Sequence, residues 1–326
     1  MTSTGSPSSR SFVSRSRLTR RGLLILGAGA LTGCSSDNSS SSSTAPPTTP
    51  ASSTPPASST PPGSSTPSAP SASAPSTPAS PASPPPAALP SVKLWTPGRG
   101  ELVPEAKLAA VQAVQKLLTR RNTVVEIIDA QYGGLLADTA SVLVPCRTYS
   151  VAHGKLTTAG TTVDVRLTRS GRTWRVTSQH PAQPGPPART LTAAARQVLA
   201  NDRITLPPAS AADVRSGNIH DTVLTAMLTL AKTYRIGISV LRSGHPLNVF
   251  GTTRPSDHPQ GRAFDTWQIN GQAVVNPSTP RTLITTYMQA AETLGSYNVG
   301  GPYQLSGSAY FSDRTHHDHV HAGFRT

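Results

Sequence analysis

Two short stretches near the C-terminus carry the side chains best suited to chemistry. Ser256-Asp257-His258-Pro259-Gln260-Gly261-Arg262-Ala263-Phe264-Asp265 is the first, and His316-His317-Asp318-His319-Val320-His321 is the second. The chain has nine histidines, and four fall in the second stretch. Imidazoles beside a carboxylate supply what a catalytic zinc ion needs: neutral nitrogen donors, an anionic oxygen and one position left open. Pro259 and Gly261 argue against a helix, so His258 is expected on a loop that leads into a strand. From Arg262 to Trp267 the alternation puts Ala263, Asp265 and Trp267 on one face. His319 and His321 are two residues apart, so on a strand they share a face, with Val320 turned into the core. His258, Asp265 and one histidine of that pair are the expected ligands.

The order Ser-x-His-x-x-Gly-x-Ala-x-Asp, read at Ser256, His258, Gly261, Ala263 and Asp265, followed by His319-Val320-His321, resembles the zinc D-alanyl-D-alanine metallopeptidases. That family shares a fold with lysostaphin-type enzymes and the hedgehog signalling domain. The resemblance reaches upstream to about Ile219 and implies zinc on His258, Asp265 and His321. It also implies a proton-transfer group close to the last ligand. One branch of the family places an acid three residues before that ligand, which here is Asp318, the preferred candidate. Another branch uses imidazoles, matched here by His316 and His319. The family carries an arginine shortly after the Gly matched by Gly244, to bind the substrate's carbonyl or carboxylate. This chain has His245-Pro246 there, leaving Arg254 and Arg242 to stabilise the oxyanion, with Ser256 and His245 as substrate contacts.

The elements needed to position these groups can be read from the rest of the chain. Residues 1–33 read as an export leader: five arginines and no acids precede Gly22, and Thr19-Arg20-Arg21-Gly22-Leu23-Leu24 has the twin-arginine pattern. Leu31-Thr32-Gly33-Cys34 looks like a lipobox, which implies lipidation of Cys34 and attachment to the extracytoplasmic face of the cell membrane. Residues 34–91 are almost wholly Ser, Thr, Pro and Ala and cannot bury a core, so they read as a disordered linker. At roughly 3 Å per residue that linker could reach on the order of 150 Å. Cys146 then has no partner and reads as a small buried hydrophobe.

Residues 92–186 are expected to form a small α+β accessory domain. Pro104 starts a helix with Leu108, Val111, Gln115 and Leu118 along it. Strand-like runs follow at 124–129, 140–144, 161–167 and 174–176, the last two joined by a turn at Ser170-Gly171. Asp129, Asp138 and Asp164 are scattered and read as solvated. Pro181 to Pro187 reads as the boundary. Residues 187–326 are expected to form a metallopeptidase-like domain, with helices at 190–200 and 221–234, a strand at 236–241 and a helix started by Ser278-Thr279-Pro280. Helices and antiparallel strands that do not alternate strictly give α+β for the whole. His153 and His180 read as surface residues and His220 as structural.

The chain carries 29 Lys and Arg against 15 Asp and Glu, a formal charge of +14. An exported basic protein would be drawn to anionic wall polymers and lipid headgroups. Nucleic acid is not an expected partner, since no basic-aromatic motif is present. The functional expectation is a Zn2+-dependent peptidase of peptidoglycan stem peptides, either a D-alanyl-D-alanine carboxypeptidase or a cross-link endopeptidase. The alternative is a non-catalytic, zinc-containing wall-binding lipoprotein.

Overall fold

A computed structural model describes residues 87–326. The leader, Cys34 and the linker as far as residue 86 lie outside the described residues. The described part is mixed α and β, with one antiparallel and one mixed sheet, each over its own apolar cluster.

The first sheet begins after α1 (Pro104–Leu118). It contains β1 (Thr123–Ile127), β2 (Gln131–Leu135), β3 (Thr139–Ala152), β4 (Lys155–Ser170) and β5 (Thr173–Pro181) in the order β1-β3-β4-β5, with β2 also paired to β3. Pro104 opens α1 as expected, but the buried face is Ala106, Lys107, Ala110, Val111 and Val114. Leu108 stays exposed because the helix is rotated to bring Lys107 inward. Asp138 is exposed as read from the sequence, whereas Asp164 is buried, accepting from Ser141 Oγ at 2.6 Å and from Arg166 Nε.

Sequence patterning does not reveal β2. Tyr132-Gly133-Gly134 lacks the branched residues that mark strands, and glycine weakens them. The glycines serve close packing: a Cβ on Gly134 would lie 2.1 Å from the Phe250 ring. This strand therefore lies against the segment that precedes the His258 motif.

The second part contains α2 (Ala193–Ala200), β6 (Ile204–Thr205), α3 (Pro208–Arg215), α4 (Asp221–Thr233), β7 (Ile236–Val240), β8 (Ala263–Ile269) and β9 (Gln272–Ala273). It continues through α5 (Arg281–Thr293), β10 (Ser296–Gly300), β11 (Tyr310–Phe311) and β12 (Val320–Phe324). The strand order is β11-β10-β12-β8-β7-β6, with β9 on β8. Helix α4 supplies Val223, Leu224, Met227 and Leu230, and α5 supplies Ile284, Tyr287 and Met288, to one core against this sheet. No helix among the described residues is long and apolar enough to cross a membrane.

The pairing of β8 with β12 places the site. The strands run antiparallel with His321 opposite Asp265, so the two side chains emerge side by side from one face. His258 sits on a single 3₁₀ turn (His258–Gln260) closed by Gly261 at φ 70°. A Cβ at Gly261 would lie 2.0 Å from Asn218 O, so only glycine fits there.

Candidate metal centre

His258, Asp265 and His321 converge on one point. His258 Nε2 lies 3.1 Å from Asp265 Oδ1 and 3.1 Å from His321 Nδ1, and His321 Nδ1 lies 2.9 Å from Asp265 Oδ1. Zinc bonds of about 2.0–2.1 Å at tetrahedral angles set ligand atoms about 3.3 Å apart, so the triangle needs only a few tenths of an ångström to accept an ion. The donor set, two imidazole nitrogens and one carboxylate oxygen, also fits. His258 Nδ1 is 2.8 Å from Leu241 O and donates to it, which leaves the Nε2 lone pair turned into the triangle. His321 is driven down to about 4, first by burial and then by the neighbouring His258 and His316, although Asp265 opposes this. Its nitrogen is therefore unprotonated and ready to bind through the neutral range. Burial alone would raise the Asp265 carboxyl, but His258 and His319 outweigh it and hold the group well below the ordinary carboxylate range.

His245 is a fourth group at the same place. Its ring stacks on His258 with centroids 4.1 Å apart, and a ligand atom of His245 lies within 4.8 Å of those of His258 and Asp265. Its Nδ1 is occupied by Pro246 O at 2.9 Å. Burial, with His258 next to it, holds it well below its ordinary value. The shorter edges of the His258–Asp265–His321 triangle favour His321 over His245 as the third ligand.

The triangle floors a cleft of about 440 Å³. Ser256, Arg254, His316 and His319 line it, as do Tyr132 and Leu136 from the first sheet. Arg254 is exposed at its rim. Arg242 does not line the cleft; its backbone N–H bonds Asp213 at 3.2 Å and its guanidinium lies 3.9 Å from the same carboxylate. Ser256 Oγ is 3.4 Å from His245 Nδ1.

Two imidazoles with carboxylate partners face this cleft. His319 Nδ1 donates to Asp318 Oδ1 at 2.6 Å, and its Nε2 stands 3.7 Å from Asp265 Oδ2. His316 Nδ1 bonds Asp313 Oδ1 at 2.8 Å, with its ring centroid 5.0 Å from that of His319. Asp318 itself does not line the cleft. Its Oδ2 accepts from Tyr132 N at 3.0 Å and lies 2.6 Å from Lys107 Nζ. Strand alternation would put Asp318 on the face opposite His319, but β12 begins only at Val320, so Asp318 and His319 sit in the turn before it and their side chains meet. Burial would raise Asp318, yet Lys107 and His319 hold it far below its ordinary value. Such a carboxylate is a poor proton acceptor at neutral pH.

Lys107 was not singled out by the sequence, where it reads as one more cation on an amphipathic helix. It is buried and bridges Asp318 and Glu101. Burial would lower its ammonium, but Asp318, Glu101 and Asp129 together raise it. Glu101, His317 and Asp318 also lie close enough to hold a cation, and the Lys107 ammonium already fills that role. Beside it, burial pushes Asp129 up to about 7 against the pull of Lys107, so this carboxyl is not the solvated one its sequence suggests.

Lys107→Met should cost roughly 3–5 kcal/mol, because it strands buried carboxylates without their cation. At about 2–4 °C per kcal/mol for a chain of this size, thermal unfolding should shift by around 10 °C. The folded ammonium is raised above its unfolded value of about 10.4, so its contribution is complete below that pH and is lost as pH rises through the folded value. The gap between wild type and Lys107→Met should therefore hold through neutral pH and close in strong alkali. A melting point unchanged at pH 7 would refute the role of this bridge.

The chain matches no family model, no curated protein and no solved structure.

Proposed function

We propose that this chain is a zinc-dependent peptidase of peptidoglycan stem peptides, acting as a D-alanyl-D-alanine carboxypeptidase or a cross-link endopeptidase. What carries the reading is the His258–Asp265–His321 triangle at the floor of a cleft that two carboxylate-supported imidazoles also face. The leader, the lipobox at Cys34 and the long linker support work in a cell wall from a membrane anchor.

In this reading His258 Nε2, Asp265 Oδ1 and His321 Nδ1 would hold the metal. A bound zinc ion supplies Lewis acidity and lowers the pKa of a water toward about 7. His319 Nε2, turned to the cleft, would take a proton from an attacking water and return it to the amine as the peptide C–N bond breaks. Asp318 accepts from Nδ1–H, which fixes the tautomer and keeps Nε2 turned to the cleft. Burial would lower His319, but Asp265 and Asp318 raise it, which suits the acid half of the cycle. Arg254, with Arg314 beside it in the cleft lining, is a cation available to a substrate carboxylate or developing oxyanion.

A second reading, a zinc-holding wall-binding module without turnover, is favoured by one observation. Arg242 is tied to Asp213 outside the cleft, and the two arginines that do line it, Arg254 and Arg314, are exposed. Residues 87–326 incubated with muropeptides decide between the two. The expected result is loss of a terminal D-alanine or a cut cross-link by mass, abolished by a chelator and restored by zinc. Intact muropeptides from a zinc-loaded protein would favour the binding module.

A further inference from the structure

The first sheet does more than pack beside the metal centre. Gln131 on β2 is buried, and its Nε2 donates to Asp265 Oδ2 at 2.6 Å. Asp265 Oδ1 is the oxygen in the ligand triangle, so Gln131 holds the other oxygen of the same carboxylate. The amide can sit only one way round. Its Oε1 takes the Ser239 hydroxyl, and an oxygen in place of Nε2 would face a carboxylate oxygen. The next residue, Tyr132, gives its backbone N–H to Asp318, and Leu135 N gives its own to Thr315 Oγ1. One short strand thus reaches a ligand carboxylate, the carboxylate behind His319 and the turn that carries His316.

We propose that β2 is a built-in part of the metal centre and that Gln131 is a positioning residue, setting the orientation of Asp265 toward the ion. The proposal rests on the metal site proposed above but not on peptide cleavage. A carboxylate with one oxygen tied down presents the other in a fixed direction, and loss of such an outer partner typically costs about 10–100-fold in metal affinity.

The test is zinc affinity by competition with a chromophoric chelator, alongside the visible spectrum of the Co2+-loaded protein, in the full chain. Gln131→Met keeps length and volume and removes only the polar contacts. It should bind zinc about 10–100-fold more weakly and shift the cobalt bands as Asp265 reorients. Val144→Ala, in the core of the same sheet, should lower the melting temperature and leave both readouts at wild type. Ser239→Ala, which frees the far side of the amide, should weaken zinc in the same direction by less.

Wild-type affinity in Gln131→Met overturns the proposal, as does an equal loss in Val144→Ala, which would reduce the effect to general loosening. If Gln131→Met fails to fold, Ser239→Ala decides, and unchanged affinity there also overturns it. A wild-type chain that binds no zinc overturns this proposal and the metal site together. One that binds zinc but cuts no muropeptide overturns the peptidase reading alone.

Discussion

Alanine at any one of His258, Asp265 or His321 should strip zinc from the protein and reduce peptide cleavage to background. Protein zinc sites of four ligands are worth about 10–16 kcal/mol, so one protein ligand accounts for roughly 2.5–4 kcal/mol, or about 10²–10³ in affinity. The loss should be steepest at Asp265, the only anion in the set and the group opposite both histidines. Metal content after dialysis and the rise in melting temperature on adding zinc both check this, since a ligand that binds only the folded chain stabilises it by mass action. His319→Ala should keep its zinc, because the carboxylate oxygen nearest to His319 Nε2 is Asp265 Oδ2 at 3.7 Å, outside the ligand triangle. His245→Ala is the informative neighbour. If it loses zinc as His258→Ala does while His321→Ala keeps it, the third ligand is the stacked imidazole and not the one across the β8–β12 pair.

The convergence of His258, Asp265 and His321 was legible because the signals there are local. His258 and Asp265 belong to one turn and strand, and His321 falls on a strand whose alternation is plain around Val320. Pairing those strands in register was then enough to bring the proposed ligands together. What could not be read was whatever depended on contacts across the two sheets. Gln131 and Lys107 are 134 and 211 residues from their partners Asp265 and Asp318. Neither carries a local signal: one sits in a glycine-rich strand without strand-like residues, and the other occupies an ordinary helical position. Asp318 shows the same limit. Its spacing from His321 suggests proton transfer, but the spacing carries no trace of the buried lysine that holds its charge.

His319→Ala should retain zinc and lose about 10²–10⁴ in kcat, the usual contribution of a positioned general base. The argument is geometric first. Nδ1 is committed to Asp318, Nε2 faces the ligand triangle, and the ring is buried, so no solvent water substitutes easily for it. Asp318→Asn should retain zinc too, but with a smaller fall of about 10–100-fold, because the amide can still hold the ring while the charge that supports the imidazolium is gone. This ordering separates the two roles. If Asp318 itself moved the proton, Asp318→Asn would be the more damaging change and His319→Ala the milder. His316→Ala is the third arm. Its ring is also backed by a carboxylate, Asp313, which burial would raise but which His316 lowers to about 2. His316 packs its ring 5.7 Å from that of His321 but has no pairing with the Asp265 carboxylate such as His319 makes, so its removal should chiefly raise KM, with kcat less affected. If His316→Ala instead loses kcat by the larger factor while His319→Ala turns over normally, the base is His316, and Asp313 takes the supporting role assigned to Asp318.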